Sequence, residues 1–464
     1  MSKPFPPSPY LSDNYAPISM ECDAFDLPVT GELPRALRGT LYRNGPNPQY
    51  APRDANYHWF IGDGMVHAFH IEDGRVRYRN RWVRTNKFRL ERAAGQALFG
   101  SWGNPATTDP AVAGQAGGAA NTNILWHGGR LLALEEAHLP VELDRETLAT
   151  RGNVDYAGKL PRAMTAHPKL DPVTGEMLFF AYSADGPFTP ALDYGVVDRT
   201  GQLQQIERFE APFPSMVHDF MATRNYVLFP ILPVTGSMER ATRGEPAYAW
   251  EPAKGAHIGI MPRQGGAAKM RWFRGEACYV FHVMNAWESG DKIVADVMQY
   301  ETAPLFNPDA GSARARLCRW TFDMAGDSDT FTRAYLDDMA GEFPRFDERF
   351  ATLPYRHGYF ACREDGSRTV GDYNGLAHVD LERVTRSVHR LPEGDVASEP
   401  VFVPRAADSA EGDGWLLATV YRGAEKRSDL VVYEAGAIAD GPVATVQLSH
   451  RVPFGFHGNW LGAD

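Results

Sequence analysis

The sequence repeats one local pattern, in which two short runs of alternating apolar and polar residues are joined by a tight turn. Residues 65–71 and 75–83 flank the turn Asp73-Gly74, and Asp-Gly between alternating runs is a strong signal for a β-hairpin. The pattern returns at residues 123–134 and 194–209 and continues in short runs as far as residue 433. Because no long segment has a 3.6-residue apolar period, the pattern predicts an all-β protein and excludes a doubly wound α/β sheet.

Two short segments, at residues 94–98 and 309–314, are the candidate helices. The composition, with 12% aromatic residues, 44 glycines and 34 prolines, is typical of many short strands and tight turns. Sheets in radial repetition can bury many short strands, so a β-propeller is the favoured architecture and a sandwich pair is the alternative. We expect a single propeller domain over residues 1–464, with residues 1–37 as an N-terminal arm that covers its outside.

The charge and the cysteines exclude several classes of function. A formal net charge of −11 without a Lys/Arg cluster argues against a nucleic-acid partner and against electrostatic attachment to anionic lipid. The four cysteines form no CxxC pair, so they indicate neither a zinc site nor a disulfide framework. Residues 1–10 have no apolar signal-peptide core, and no stretch approaches about 18 apolar residues. We expect a cytoplasmic protein without a transmembrane segment.

Four histidines, which are His167, His218, His282 and His457, each lie in or beside an apolar, strand-like run. They are much further apart than the ligands of a zinc finger or of a helical pair. If the runs are core strands, all four imidazoles are buried, and a buried neutral imidazole has one N–H to satisfy and one lone pair to use. Taken alone, any single one of them fits a hydrogen-bonded core histidine better than a metal ligand. As a set they predict a metal site, because the inner strands of different propeller blades present side chains to one axis.

Several motifs of this chain resemble those of the carotenoid cleavage oxygenases, in the same order and over nearly the whole length. They are WFIGDGMVH at residues 59–67, TAHP at 165–168, VHD at 217–219, FH at 281–282, EPVFVPR at 399–405 and FHG at 456–458. Within that family the chain is most similar to the bacterial branch that cleaves lignostilbenes and phenylpropenes. That closer likeness rests on RWV at 81–83, LFG at 98–100 and SDLV at 428–431.

The resemblance implies a seven-bladed β-propeller in which His167, His218, His282 and His457 hold Fe(2+) under a cap of loops and short helices. The positions that match the family's outer ring of glutamates are Glu136, Glu342 and Glu399. Carboxylates there accept the far N–H of the ligands, which fixes the tautomer and raises ligand basicity. Four neutral imidazoles leave open octahedral positions on the metal. Thr122 matches the small side chain that partly occludes one of them, although it also fits an ordinary strand-edge threonine.

The reaction implied is insertion of both atoms of O2 across one conjugated C=C bond, giving two carbonyl products without an external reductant. The partners are therefore a small conjugated alkene and O2. Aromatic walls would hold such a substrate by apolar burial and stacking. Phe60, Trp102 and Phe306 are the candidates, and core packing is the alternative for each.

Substrate choice is where the chain departs from its nearest branch. Cleavers of phenolic substrates in that branch use a tyrosine and a lysine to bind the phenol, and the matching positions here are Trp102 and Glu135. A glutamate repels a phenolate, and an indole has no acid–base function. We therefore expect an apocarotenoid-like or otherwise non-phenol-activated alkene, with a hydroxystilbene or phenylpropene bound in a different way as the alternative. A retinoid isomerohydrolase-like activity and a metal-free propeller that serves as a binding scaffold are the remaining hypotheses.

Overall fold

The computed structural model describes residues 3–54, 57–101, 105–308, 310, 313–364 and 372–463. Its strands up to residue 164 are β1 (Asp23–Ala24), β2 (Val29–Gly31), β3 (Gly39–Pro46), β4 (Gly64–Glu72), β5 (Arg75–Trp82), β6 (Asn123–His127), β7 (Arg130–Leu134), β8 (Val141–Leu143) and β9 (Thr150–Asn153). The middle of the chain forms β10 (Lys169–Leu170), β11 (Met177–Tyr182), β12 (Ala191–Val197), β13 (Leu203–Glu210), β14 (Met221–Ala222), β15 (Tyr226–Ile231), β16 (Val234–Gly236), β17 (Tyr248–Trp250), β18 (Ala256–Pro262) and β19 (Arg271–Gly275).

The strands that follow are β20 (Tyr279–Ser289), β21 (Lys292–Tyr300), β22 (Arg316–Asp323), β23 (Thr332–Phe346), β24 (His357–Arg363), β25 (Gly375–Asp380), β26 (Thr385–Arg390), β27 (Val396–Ala397), β28 (Val401–Pro404), β29 (Gly414–Arg422), β30 (Arg427–Glu434), β31 (Ala444–Gln447) and β32 (Gly458–Gly462). The two α-helices among the described residues are α1 (Asn86–Ala94) and α2 (Met238–Thr242). Short 3-10 turns are Pro9–Leu11, Asp13–Tyr15, Trp59–Ile61, Pro105–Thr107, Pro110–Val112, Pro252–Lys254, Ala267–Lys269, Glu348–Phe350 and Ala435–Asp440. The prediction of an all-β fold is confirmed.

The predicted Asp-Gly hairpin is present between β4 and β5. Asp73 and Gly74 both have positive φ, of 50° and 75°, which is the backbone that a two-residue type I′ turn requires. The two strands then pair in uninterrupted antiparallel register from Met65 opposite Trp82 to Glu72 opposite Arg75. A local sequence signal therefore fixes both the turn and the pairing of the strands on either side of it.

The larger sheets are built on antiparallel meanders of four strands. Three of them are β6–β9, β10–β13 and β14-β15-β18-β19, and another is β5-β4-β3-β32, to which β1 adds an edge. The sheet of β29, β30 and β31 has β27 and β28 on one side and β2 on the other. The longest sheet, β20–β26, contains two meanders because β23 serves both. The first residues of β23 pair with β22, and the last residues of β23, from Ala340 onwards, pair with β24.

Among the described residues there are thus seven meanders, which are the seven blades of the predicted propeller, and β16 with β17 forms a separate ribbon. The prediction of a seven-bladed propeller is confirmed. The helix predicted at residues 94–98 is not formed there. The helix in this region is α1, which ends at Ala94. The segment at 309–314 lies partly outside the described residues.

Contacts divide the chain into two compact units. The first comprises Met1–Met164, Leu391–Arg405 and Gly414–Asp464, and the second comprises Thr165–Arg390 and Ala406–Asp413. In each unit, neighbouring sheets pack through their apolar faces. Phe69 and Trp415 meet in a core cluster of the first unit, and Phe273 and Trp320 meet in a core cluster of the second. The single-domain interpretation of residues 1–464 stays a prediction.

The N-terminal arm predicted over residues 1–37 contributes two short edge strands to the first unit. β1 pairs with β5, and β2 pairs with β31. Leu33 and Leu37 near its end are buried in the cluster that contains Phe69 and Trp415. Hydrogen bonding and apolar burial therefore both hold the arm on two sheets of this unit.

Helix α1 is held by a buried cation. Thr85 caps its N-terminus by accepting the Phe88 N–H. The ammonium of Lys87 lies 2.7 Å from Asp63 and 3.0 Å from Glu91. Burial alone lowers the pKa of Lys87, but the two carboxylates raise it overall. The ion pair between Lys87 and Asp63 therefore joins α1 to the WFIGDGMVH motif.

We predict that Lys87→Met lowers the free energy of unfolding by about 3–5 kcal/mol, because it leaves two buried carboxylates without a cation. The pKa of Lys87 is raised in the folded state, so its contribution is complete below the pKa of an unfolded lysine and is lost only as the pH rises above that value. The difference in the free energy of unfolding between variant and wild type, measured by denaturant unfolding, should therefore be constant around neutral pH. Arg89→Met is the matched control, since Arg89 is an exposed cation on the same helix, and an equal loss in both variants would contradict the prediction.

Candidate metal centre

The four histidines lie at comparable places in the fold. His167 precedes β10, His218 precedes β14, and His457 precedes β32, while His282 is the fourth residue of β20. Each of these strands is an edge strand of its sheet. His167, His218 and His457 are buried and His282 is half-buried. The structure brings one nitrogen atom from each of the four rings within 4.8 Å of the others.

The rings of the second unit show how this group could hold an ion. The ring centroid of His167 is 4.5 Å from that of His218 and 5.3 Å from that of His282. The Nε2 atoms of His218 and His282 are 3.3 Å apart. Two nitrogen atoms bound at right angles to one ion at about 2.1 Å lie about 3.0 Å from each other. The spacing and the all-imidazole donor set therefore fit a transition-metal ion.

Buried carboxylates fix two of the four imidazoles. Nδ1 of His282 lies 2.6 Å from Oε2 of Glu342, and Nδ1 of His457 lies 2.8 Å from Oε1 of Glu399. A carboxylate accepts, so Nδ1 carries the hydrogen in both rings and Nε2 keeps its lone pair for a metal. The other oxygen of Glu399 accepts the Gly458 N–H at 2.8 Å. The ring and the backbone that follows it are therefore held by one side chain.

Irregular backbone places His282 and Glu342. The pairing of β20 with β21 shifts register between Val280 and Val283, on either side of His282. The pairing of β23 with β24 shifts between Glu342 and Arg345, and Phe343 has a φ of 57°. The Phe343 ring stacks on His282 with a centroid distance of 5.3 Å. Register shifts redirect side chains out of a regular pleat, and here they do so at a ligand and at its carboxylate partner.

Thr122 is bonded directly to the segment that carries the fourth histidine. Its carbonyl accepts the His457 N–H at 3.1 Å, and its hydroxyl donates to Asn121 at 3.0 Å. Asn121 in turn donates to the carbonyls of Phe60 and Gly62, each at 2.7 Å. One short network therefore connects Thr122, the Phe60 segment and the backbone of His457. The role of Thr122 beside the metal stays a prediction.

The predicted aromatic wall residues are placed differently from one another. Phe60 lies 5.3 Å from Phe456, the residue before His457, by ring centroids. Phe306 has a φ of 60°, its carbonyl accepts the Trp250 N–H at 3.1 Å, and its ring lies 5.5 Å from that of Tyr248. Trp102 lies outside the described residues. Contact of any of these residues with a substrate stays a prediction.

Glu135 forms an ion pair that its sequence context did not indicate. Its carboxylate accepts the backbone N–H groups of Ala119 and Ala120 and lies 2.6 Å from Nδ1 of His138. Burial would raise the pKa of Glu135, but the charge and hydrogen bond of His138 and the two amides lower it overall. The charge of Glu135 raises the pKa of His138 against the effect of burial. Each group therefore stabilises the ionised form of the other.

The third predicted glutamate of the outer ring, Glu136, follows Glu135 and is partly exposed. Its predicted contact with a ligand histidine stays a prediction. Sequence reasoning missed Arg43, which is buried and donates to the carbonyls of Glu399 at 3.0 Å and Phe456 at 2.9 Å. The arginine in the middle of strand β3 was the available signal, because a buried charge needs partners.

We predict that Glu342→Ala and Glu399→Ala each weaken metal binding roughly 10- to 100-fold, since each removes the acceptor that orients an imidazole. Affinity is measured by competition between the protein and a chelator for Co(II). Glu288→Ala is the matched control, because Glu288 lies in β20, the strand of His282, and bonds Thr223 and Asn225 instead of a histidine. Unchanged affinity in both ring-partner variants would show that the carboxylates do not support the metal.

In the part of the chain that is described, no helix is long and apolar enough to cross a membrane.

The chain matches the family described as retinal pigment epithelial membrane protein over residues 15–462. An isoeugenol monooxygenase of Pseudomonas nitroreducens is 42% identical, with 98% of each chain covered. The lignostilbene-alpha,beta-dioxygenase isozyme III of Sphingomonas paucimobilis is 36% identical, with 99% of this chain and 98% of the relative covered.

Solved structures give the same result. The lignostilbene dioxygenase of Pseudomonas brassicacearum has a TM-score of 0.96 at 36% identity, with all of both chains covered. A cobalt-substituted apocarotenoid oxygenase of Synechocystis has a TM-score of 0.87 at 30% identity over 97% of this chain and 98% of that one. The four grouped imidazoles are thus placed to hold a metal ion, in a fold shared with these oxygenases. The chain belongs to the carotenoid cleavage oxygenase family and is an alkene-cleaving oxygenase of the carotenoid and stilbene cleavage type.

Proposed function

We propose that His167, His218, His282 and His457 hold ferrous iron and that the protein cleaves one conjugated C=C bond with O2 to give two carbonyl products. The observation that carries the proposal is the approach of the four ring nitrogen atoms to within 4.8 Å of one another. The same observation argues against a metal-free scaffold, because lone pairs that face one another repel unless a cation or a proton lies between them.

Iron suits this donor set, since imidazole is a common ligand of ferrous sites and four of them leave positions open. When bound, iron would supply the binding and activation of O2. The reaction is balanced without an external reductant, because the two alkene carbons lose four electrons in total and the two oxygen atoms gain them. Each product carbonyl receives one oxygen atom from O2.

The chain's own residues supply the surroundings of the reaction. Glu342 and Glu399 hold the rings of His282 and His457, and we assign Glu136 the same role toward the ligand set. Thr122, bonded to the backbone of His457, restricts access to one open position. We assign Phe60 and Phe306, and from the sequence alone Trp102, the role of apolar groups that exclude water and align the substrate by burial and stacking.

The substrate we favour is an apocarotenoid-like or otherwise non-phenol-activated alkene. The support is that Glu135 and Trp102 provide neither the cation nor the hydroxyl that would bind a phenolate. The alternative, a phenylpropene or hydroxystilbene bound in another way, is favoured by the 42% identity to an isoeugenol monooxygenase and by the imidazole of His138 beside Glu135. The four free cysteines, three of them buried, support a reducing cytoplasmic location.

The direct test incubates the iron-loaded protein under ¹⁸O₂ with apocarotenals, hydroxystilbenes and propenylphenols. We expect aldehyde products that carry the label, from one substrate class above the others. His218→Ala is the matched variant and should lose both iron and turnover while staying folded, because one ligand is a small part of a large core. Product oxygen that comes from water instead of O2 would contradict the proposal. Full iron retention with turnover in His218→Ala would also contradict it.

We predict that Glu135→Lys combined with Trp102→Tyr raises kcat/KM for 4-hydroxystilbenes, since an ammonium and a phenol hydroxyl can stabilise a phenolate. Stilbene without a hydroxyl is the control substrate and should gain nothing. Glu135→Lys with Trp102→Phe is the control variant, which keeps the ring and omits the hydroxyl. Lysine cannot accept the Ala119 and Ala120 N–H groups, so thermal unfolding must show that the variant is folded. No gain on the hydroxylated substrate would show that these two positions do not select it.

A further inference from the structure

Asp219, the residue after His218, is a buried carboxylate with three partners. Its Oδ1 lies 2.6 Å from Nζ of Lys169 and accepts the Phe220 N–H at 2.8 Å. Its Oδ2 accepts the Val283 N–H at 2.9 Å. Both oxygen atoms are therefore engaged, and the bonds to a cation and to amides in buried surroundings are of the strong, charge-assisted kind.

The partners of Asp219 belong to three different ligand segments. Lys169 is two residues after His167, Asp219 itself follows His218, and Val283 follows His282. These segments lie in three different sheets, at β10, β14 and β20. One side chain therefore connects the backbones that carry His167, His218 and His282, and all of its bonds lie within the second unit.

The charge on Asp219 is matched locally. Lys169 is a quarter exposed and its ammonium also lies 5.9 Å from the centroid of the Phe220 ring. Asp219 thus has its own cation, whereas Glu342 and Glu399 accept directly from ligand rings. An ion pair with no net charge can set distances between segments without adding negative charge to the metal centre.

We propose that Asp219 and Lys169 form a positioning clamp that sets the spacing of the three histidine segments of the second unit. Asp219 and Lys169 are positioning residues in this proposal, and the rings they place are the ligands. The proposal rests on the metal-binding function proposed above. It assigns a purpose to the aspartate of the VHD motif and to the lysine that follows TAHP.

Binding of Co(II) alone tests the clamp without reference to turnover. Asp219→Ala removes the connection between all three segments and should weaken Co(II) binding roughly 10- to 100-fold and change the visible d–d absorption of the bound ion. Asp219→Asn keeps an amide acceptor but loses the ion pair, so its loss should be smaller. Lys169→Arg preserves the cation and should restore the affinity that Lys169→Met loses.

The matched control is Asp193→Ala. Asp193 is a buried aspartate in the sheet that contains Lys169, and it pairs with Arg208 at 2.7 and 2.9 Å, away from the histidine segments. This variant should lower the melting temperature while leaving the Co(II) affinity and spectrum of the folded protein unchanged. If Asp219→Ala does not fold, the asparagine and methionine variants decide the outcome.

Affinities and spectra like those of wild type in Asp219→Ala, Asp219→Asn and Lys169→Met would overturn the clamp. A loss of Co(II) affinity in Asp193→Ala as large as that in Asp219→Ala would also overturn it, because the loss would then reflect stability alone. Wild-type protein that binds no Co(II) would instead overturn the proposed metal function. The two failures are therefore distinguishable.

Discussion

Everything in this site depends on bringing imidazole lone pairs together at one point. Four ring nitrogen atoms lie within 4.8 Å of one another, and such an arrangement is unfavourable until a cation takes up the lone pairs. The folded protein must therefore hold the rings in place by other bonds before the metal arrives. Metal binding then stabilises the folded state by mass action, because the unfolded chain offers no such group of ligands.

The fold meets this requirement with three kinds of restraint. The histidines lie in or just before edge strands of separate sheets. Register shifts turn His282 and Glu342 out of the regular pleat, and buried carboxylates bond to rings or to the backbone beside them. Thr122 and Arg43 hold the His457 segment through main-chain bonds. Backbone bonds are effective here because they fix where a side chain starts, and the carboxylates then fix its orientation.

The parts of this arrangement that the sequence predicted are those with local signals or with motifs. The Asp73-Gly74 turn needs only two residues with positive φ, and it was correctly assigned. The four histidines were grouped because a propeller brings distant strands to one axis. Helix α1 was missed, although Thr85 as its N-cap and Gly95, with a φ of 68°, as its C-cap are readable signals, since nine residues give too short an apolar period. The pairing of Asp219 with Lys169 and Val283 depends on how separate sheets meet, and no local pattern encodes it.

The acidic groups around the site divide into two sets with different physical effects. Glu342 and Glu399 accept from ligand rings, so their negative charge acts on the metal through the imidazoles and raises ligand basicity. Asp219 has Lys169, and Glu135 has His138, so each of these carboxylates has a basic partner of its own beside it. The charge that tunes the metal is thus separated from the charges that hold loops and segments in place. A protein built this way can change the residues of its loops without changing the electrostatic environment of its four grouped histidines.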